Sequence, residues 1–91
     1  MAYRVEVAPA AERDLRKLDA HVRKQVIREM LLLEENPRPH GVEKLELKEK
    51  LYRIAVGPGK NYRVIYQIRD EVLLVLVVKV GNRKEVYRRV K

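Results

Sequence analysis

Residues 51–80 read LYRIAVGPGKNYRVIYQIRDEVLLVLVVKV and carry the clearest structural pattern in the chain. Runs rich in β-branched and aromatic residues alternate there with short turn sequences, Gly-Pro-Gly-Lys at 57–60 and Asp-Glu at 70–71. Because connections this short join antiparallel neighbours, the stretch predicts a three-stranded antiparallel meander. The predicted strands are 51–56, 61–69 and 72–80, with Gly81 and Asn82 closing the last one.

The segment before the meander predicts one strand and two helices. Tyr3–Val7 alternates between apolar and charged residues, as a short strand does. Pro9 suits the first turn of a helix, and Asp19 suits the N-cap of a second helix. Asn36-Pro37 ends that second helix, because the residue before a proline disfavours helical dihedral angles. Together these features predict an αα-hairpin over about residues 9–35.

Two other segments lack a repeating apolar pattern. Residues 36–50 hold two prolines, one glycine and many charges, so they predict a loop with or without one turn of helix. Residues 83–90 form a basic tail with room for one helical turn. The element order β-αα-βββ in 91 residues predicts one α+β domain spanning residues 1–91. Its strands form one sheet, and its helices pack on one face of that sheet.

The strand pattern also predicts which side chains share a face. Because alternate residues of a strand point to opposite faces, the more apolar face of the meander should lie under the helices. The members of that face are Tyr52, Ile54, Val56, Tyr62, Val64, Tyr66 and Ile68. Arg53 and Arg63 then project from the opposite face. Residues 72–78 are apolar on both faces, which predicts a central strand and a partly walled, basic concavity around the arginines.

The composition excludes several kinds of chemistry. The chain has no cysteine, serine or threonine, which excludes disulfides, thiolate metal sites, hydroxyl nucleophiles and a Walker A phosphate loop. With two histidines, a zinc site would have to draw most of its ligands from carboxylates, so we predict no metal site. Any catalysis must therefore use lysine, arginine, tyrosine, histidine, aspartate or glutamate.

The net charge of +8 is concentrated in one part of the chain. Residues 1–36 carry seven basic and seven acidic side chains, whereas residues 37–91 carry fourteen basic and six acidic ones. Such an asymmetry favours a polyanionic partner, most often nucleic acid. An acidic protein partner, or a solvated surface with no partner, remains an alternative explanation.

Several features predict a soluble, cytoplasmic protein. Apolar residues make up 46% and charged residues 37% of the chain, which is typical of a folded domain. The longest apolar run, Val72–Val78, is too short to cross a bilayer. Arg4 and Glu6 interrupt any apolar N-terminal stretch of the kind that a signal peptide needs.

Several short segments, in order and over nearly the whole length, carry a family resemblance. They are Met1–Tyr3, Leu15–Leu18, Glu35–Arg38, Leu51–Ile54, Asn61–Tyr66, Val80–Arg83 and Glu85–Tyr87. As an ordered set they resemble the RelE/ParE superfamily of bacterial and archaeal toxins, and its RelE branch in particular. The resemblance implies the toxin of a type II toxin–antitoxin pair.

The activity that the RelE branch implies is ribosome-dependent cleavage of mRNA. Such toxins enter the ribosomal A site and cut the message there by attack of a ribose 2′-OH, without a metal or other cofactor, and so inhibit translation. A RelB-like antitoxin that wraps the toxin in a hetero-oligomer is the implied partner, beside the ribosome and its message. The alternatives are a ParE-like, non-enzymatic inhibitor of DNA gyrase and a degenerate toxin that acts only as an RNA-binding module.

The resemblance also assigns roles to particular residues. Arg63 matches the strand arginine that stabilises the phosphate, and Arg83 matches a phosphate ligand and proposed acid. Tyr87 matches the C-terminal tyrosine proposed to orient or deprotonate the 2′-OH. Arg53 lies where some relatives carry a lysine, and Lys60 lies in a turn from which it could reach the substrate.

One position departs from the family pattern, and other candidates have plainer explanations. Ala55 stands where those relatives carry a second lysine, which removes one cation from the implied site. The sequence favours a core or turn role for Tyr52, Tyr62 and Tyr66. It favours a surface position for the two histidines, His21 and His40.

Overall fold

The computed structural model describes residues 2–46 and 50–86, which form two helices and a mixed sheet of five strands. The strands are β1 (Arg4–Val7), β2 (Glu43–Glu46), β3 (Lys50–Val56), β4 (Tyr62–Arg69) and β5 (Leu74–Asn82). The helices are α1 (Pro9–Arg16) and α2 (Ala20–Leu31). Short 3-10 turns lie at Leu32–Glu34, Pro58–Lys60 and Asp70–Val72.

The predicted meander is confirmed, and β5 is an interior strand of the described sheet. The strand order is β1-β5-β4-β3-β2, with β3, β4 and β5 antiparallel to one another. β1 pairs parallel with β5, from Arg4 beside Leu74 to Val7 beside Val77. The apolar pattern of β5 on both faces fits its surroundings, since Val75 and Val77 pack in the main core and Val78 packs against a second apolar cluster.

The loop predicted for residues 36–50 was wrong at Glu43–Glu46, which form β2. This strand pairs antiparallel with β3, and Leu45 lies opposite Leu51. The segment Glu-Lys-Leu-Glu has one apolar residue, so it carries no alternation from which a strand could be read. The hydrogen bonds that it makes to the edge of β3 define it as a strand.

One predicted boundary also shifts, and one predicted capping bond is absent from the described structure. The last strand begins at Leu74 instead of Val72, because a 3-10 turn over Asp70–Val72 leads into Leu73 with a left-handed φ of 51°. Val72 is 56% exposed as a result. Asp19 occupies the N-cap of α2 as predicted, but its side chain makes no capping hydrogen bond with the described residues.

The helices pack on one face of the sheet, as predicted. The main core joins Leu15 of α1 and Val26 of α2 to Val64 and Tyr66 of β4, with Tyr52 and Tyr62 packed against it. Tyr66 is fully buried, and its hydroxyl donates a hydrogen bond of 2.8 Å to the carbonyl of Pro37. The three tyrosines therefore belong to the core, as the strand pattern predicts.

A smaller apolar cluster covers part of the opposite face. Leu51 and Ile65 are buried there under Val86, which follows the turn after β5. Val86 crosses close to Gly81, where an added Cβ would lie 3.5 Å from the Cβ of Val86. The face that bears the arginines is thus partly walled by the end of the described chain.

A nearly buried ion pair fixes α1 to β5. The Lys79 ammonium lies 3.2 Å from Oδ2 of Asp14, with the two side chains 11% and 9% exposed. The same carboxylate oxygen accepts a hydrogen bond of 3.1 Å from the backbone amide of Val80. The pair sits beside a bulge, since Ile65 pairs with Lys79 but Tyr66 pairs with Val77.

Replacing Asp14 should destabilise the fold, by an amount that depends on which of these bonds the new side chain can keep. Asp14→Ala removes an acceptor from both Lys79 and the Val80 amide, and breaking a buried pair typically costs about 3–5 kcal/mol. Asp14→Asn keeps an oxygen for the amide and should cost less. Urea unfolding of the two variants measures the difference. A destabilisation below about 1 kcal/mol for Asp14→Ala would show that the pair contributes little.

Candidate nucleic-acid site

Arg63 stands between two residues with little or no side chain. On β4 it pairs with Ala55 of β3 on one side and with Gly81 of β5 on the other. Directly paired residues share a face, so these three positions form one row across the sheet. Arg63 has the only long side chain of this row, and Val86 packs over the row at Gly81.

The Arg63 guanidinium is held by backbone carbonyls. Its Nη1 donates hydrogen bonds of 2.8 Å to the carbonyl of Lys60 and 3.1 Å to that of Tyr62. A guanidinium carries five N–H donors, so these two bonds position the group without exhausting its donors. Arg63 is therefore pre-positioned, and it can still present donors to a phosphate in the paired geometry that guanidinium groups favour.

The turn that supplies these carbonyls depends on glycine. Gly57 has a φ of 80°, and an added Cβ would lie 2.9 Å from Cδ1 of Tyr62. The amide of Lys60 donates a hydrogen bond of 2.9 Å to the carbonyl of Gly57, which closes the turn. Lys60 also lines a cavity of about 230 Å³, together with Glu29. Lys60 thus contacts Arg63 through its carbonyl.

Arg83 is brought to the same end of the sheet by a backbone hydrogen bond. Its amide donates to the carbonyl of Asn61 at 2.9 Å, two residues before Arg63. Oδ1 of Asn82 accepts a bond of 2.8 Å from the amide of Lys84, which tightens the turn that carries Arg83. The side chain of Arg83 is exposed.

Arg53 lies one row further along the same face, and it is paired. Its guanidinium forms a hydrogen-bonded ion pair with Glu43, which lies opposite it on β2. Sequence reasoning missed Glu43 because it assigned this segment to a loop. The partner offsets part of the charge that Arg53 would present to a phosphate, although the arginine side chain remains 30% exposed.

Tyr87 lies outside the described residues. Val86, which precedes it in the sequence, is buried against Leu51 and Ile65 on the face that bears the arginines. The structure therefore brings Arg63 and Arg83 to one end of the sheet, with Arg53 one row away.

A second polar cluster ties together the other end of the sheet. Arg38 donates to both carboxylate oxygens of Asp70, at 3.2 and 2.9 Å, and Tyr3 donates to Asp70 at 2.6 Å. The Arg38 guanidinium also lies 5.5 Å from the centre of the Tyr52 ring, which stacks on Tyr66. No sequence pattern indicates this cluster, since its members are far apart along the chain.

The hydrogen bonds of this cluster shift the acidity of its members. Those from Arg38 and then Tyr3 lower the pKa of Asp70 from 3.8 to about 2. The bond to Asp70 raises the pKa of Tyr3, and burial raises the pKa of Tyr66. The cluster lies at the opposite end of β4 from Arg63, so it stabilises the fold and is not part of the site.

The pKa of Asp70 predicts an acid-sensitive contribution to stability. Because the folded-state pKa is below 3.8, the ionised carboxylate stabilises the fold above about pH 4. That contribution is lost as the pH falls through about 2. Asp70→Asn should lower the free energy of unfolding at neutral pH and flatten its fall between about pH 4 and 2. Unfolding measured against pH tests this, with Glu71→Gln as the neighbouring control; parallel curves for wild type and Asp70→Asn would contradict it.

The described residues offer neither a metal cluster nor a membrane span. No group of three or more histidine, cysteine, aspartate or glutamate side chains there could hold a metal ion. Within the same residues, neither helix has the length and apolar content needed to cross a membrane.

Comparison with known proteins identifies the family. The sequence model described as "ParE toxin of type II toxin-antitoxin system, parDE" matches residues 5–87. The mRNA interferase toxin RelE of Escherichia coli K12 is 35% identical over 89 residues, covering 96% of this chain and 92% of that protein. The chain therefore belongs to the RelE/ParE superfamily of toxins. Within that superfamily, the chain is similar to RelE over nearly its whole length.

Solved structures of RelE toxins with their antitoxins share the fold. The intact Escherichia coli RelBE toxin–antitoxin complex contains a chain 32% identical to this one, with a TM-score of 0.72 over 89% of this chain and 96% of that chain. The archaeal RelE–RelB complex from Pyrococcus horikoshii OT3 gives 27% identity and a TM-score of 0.74, over 94% and 100% of the two chains. Both agree with the α+β fold described above.

Proposed function

We propose that this chain, as one domain over residues 1–91, is the RelE-type toxin of a type II toxin–antitoxin pair. It acts in the cytoplasm as a ribosome-dependent endoribonuclease and cleaves message in the A site. The hydrogen bond from the Arg83 amide to the Asn61 carbonyl supports this most directly, because it brings Arg83 to the end of the sheet where Arg63 is held.

The chemistry is transfer of a phosphodiester to the neighbouring ribose hydroxyl. The 2′-oxygen forms a bond to phosphorus as the bond to the 5′-oxygen breaks, which leaves a 2′,3′-cyclic phosphate. A base takes the 2′-OH proton, an acid supplies one to the 5′-oxygen, and cations stabilise the charge on the pentavalent phosphorane. Arg63 and Arg83 stabilise this charge, and Tyr87 orients or deprotonates the 2′-OH. Arg53 and Lys60 contact the flanking backbone.

Arginine side chains are well suited to binding phosphate and poorly suited to transferring protons. Guanidinium groups stay charged at every working pH and bind phosphate oxygens in pairs. For the same reason they transfer protons poorly, so Arg63 and Arg83 contribute mainly charge. Much of the rate enhancement must then come from orienting the substrate. This agrees with a toxin that depends on the ribosome to orient the message.

A RelB-like antitoxin is the partner that we propose. Solved RelE relatives assemble with RelB, and this chain carries a net charge of +8. An antitoxin with an acidic or amphipathic segment would complement that charge while it wraps the toxin in a hetero-oligomer.

Removing either arginine should abolish most cleavage. In a reconstituted translation reaction with one defined mRNA, wild type should produce new 5′ ends only on ribosome-bound message. Arg63→Ala and Arg83→Ala should each slow the cut by about 10²–10³-fold, the usual cost of losing one preorganised donor to a transition state. Arg69→Ala is the matched control, because Arg69 lies on the same strand and face but three rows away.

Three other outcomes of this assay would contradict the proposed ribosome-dependent nuclease. Intact message with normal translation would overturn the nuclease, and gyrase supercoiling would then test the ParE-like alternative. Equal cutting of free and ribosome-bound RNA would remove the ribosome dependence. RNA binding without cleavage, unchanged in Tyr87→Phe, would indicate the degenerate toxin.

Restoring a cation beside Arg63 should increase activity. Ala55 pairs directly with Arg63, so Ala55→Lys places an ammonium in the same row as the guanidinium. We expect faster single-turnover cleavage on saturated ribosomes, by several-fold, with thermal unfolding measured in parallel. Ala55→Gln, which adds length without charge, is the control. Equal rates for Ala55→Lys and Ala55→Gln would show that charge at this position does not limit the reaction.

A further inference from the structure

A cavity of about 380 Å³ opens beside Arg83, between the start of α2 and the turn after β5. Its lining residues are His21, Val22, Pro58, Asn61, Tyr62, Asn82, Arg83 and Lys84. The volume falls at the lower end of the roughly 300–1,000 Å³ that small-molecule sites span. The roles assigned by family resemblance include one of these residues, Arg83.

The lining divides into three chemical kinds. Pro58 and Tyr62, backed by the buried Val22, supply apolar surface on which a base or ribose can pack. Asn61 and Asn82 supply amides, which can bond to the edge of a base. The remaining residues carry groups that bind phosphate: the guanidinium of Arg83, the ammonium of Lys84 and the imidazole of His21.

The charge of the cavity distinguishes it from its neighbour. No carboxylate is among the described residues that line it. A second cavity, of about 400 Å³, shares Tyr62 and Asn82 with the first, but its charged lining residues are two carboxylates, Asp14 and Glu85, and two lysines, Lys17 and Lys79. Its charges therefore balance, whereas the charged side chains of the first cavity are all basic and favour an anion more.

His21 is set in place by its neighbours. It is the second residue of α2 and is exposed, as the sequence predicts, while the adjacent Val22 is buried in the main core. The opposite wall is held by the bond between Arg83 and Asn61. Both walls are thus anchored, and the cavity adjoins Tyr62, whose carbonyl holds the Arg63 guanidinium.

We propose that this cavity binds the ribonucleotide next to the scissile phosphate, with His21 donating a hydrogen bond to that nucleotide's own phosphate. The inference rests on the proposed function, and it adds a substrate contact that the family resemblance does not assign. Arg83 then lies between the two phosphates. The apolar surface of Pro58 and Tyr62 packs against the base or sugar.

Nuclear magnetic resonance of the histidines tests binding without any cleavage. The chain has two histidines, so its imidazole carbon-bound protons give two sets of signals, which His21→Gln and His40→Gln assign. Titration of the full chain with a short 2′-O-methyl RNA, which cannot be cut, should move the His21 signal saturably and leave His40 in place. If the chemical shift of the His21 signal does not change during the titration, the proposal is overturned. So does an equal shift with inorganic phosphate at the same phosphate concentration, which would show anion attraction without nucleotide recognition.

Ribosome-dependent cleavage provides the second measurement. His21→Gln should weaken use of the message about 10- to 100-fold, the usual range for a hydrogen bond to a charged group. Because the contact is made before the reaction as well as in the transition state, the loss should appear mainly in KM. His40→Gln is the matched control, being exposed and outside this cavity.

The two measurements separate the inference from the proposed function. Normal cleavage by His21→Gln, with an unmoved His21 signal, refutes the nucleotide site and leaves the nuclease intact. A saturable His21 shift in a chain that cuts no message supports the nucleotide site and refutes the nuclease. Thermal unfolding of His21→Gln should match wild type, since the side chain is exposed; a folded variant with unchanged KM also refutes the contact.

Discussion

The bulge between β4 and β5 determines which residues meet on the face that bears the arginines. Tyr66 pairs with Val77 and Ile65 with Lys79, so one extra residue of β5 lies between the two pairs. Val77 and Val80 both reach the main core as a result, although an unbroken strand would place them on opposite faces. Beyond the bulge Gly81 faces Arg63. A strand without the extra residue would place an adjacent side chain there.

The ion pair of Asp14 and Lys79 stabilises this irregular region. The carboxylate accepts from the Val80 amide next to the bulge, and it binds the ammonium of Lys79 within it. α1 is thereby attached to the segment of β5 that leads into the Arg83 turn. A buried pair of this kind costs desolvation energy, so its value here is chiefly to fix a register that the apolar residues of β5 leave open.

The sequence was sufficient to predict the strands β3 and β4, but not the bulge in β5 or the short strand β2. β3 and β4 alternate between apolar and polar residues, so their faces could be assigned from the sequence, including the buried tyrosines and the outward arginines. The run Leu74–Val78 is apolar throughout and shows no sign of a bulge. β2 has too few apolar residues to reveal a strand, so Glu43 could not be recognised as the partner of Arg53. The family resemblance supplied Arg63 and Arg83, whereas their place at the same end of the sheet depends on the backbone bond from Arg83 to Asn61, which no sequence pattern marks.

The charge distribution shows where the proposed site, with Ala55 in place of a cation, could bind phosphate. Ala55 places no cation beside Arg63, and Glu43 offsets part of the charge on Arg53. The uncompensated positive charge is thereby shifted toward the Arg83 turn, where the adjoining cavity is lined by cations and no carboxylate of the described residues. If the message binds at Arg63 as proposed, this charge would draw it toward His21. Under that proposal, the alanine at position 55 and the basic cavity belong to one arrangement, in which phosphate contacts lie at the end of the sheet and not on β3.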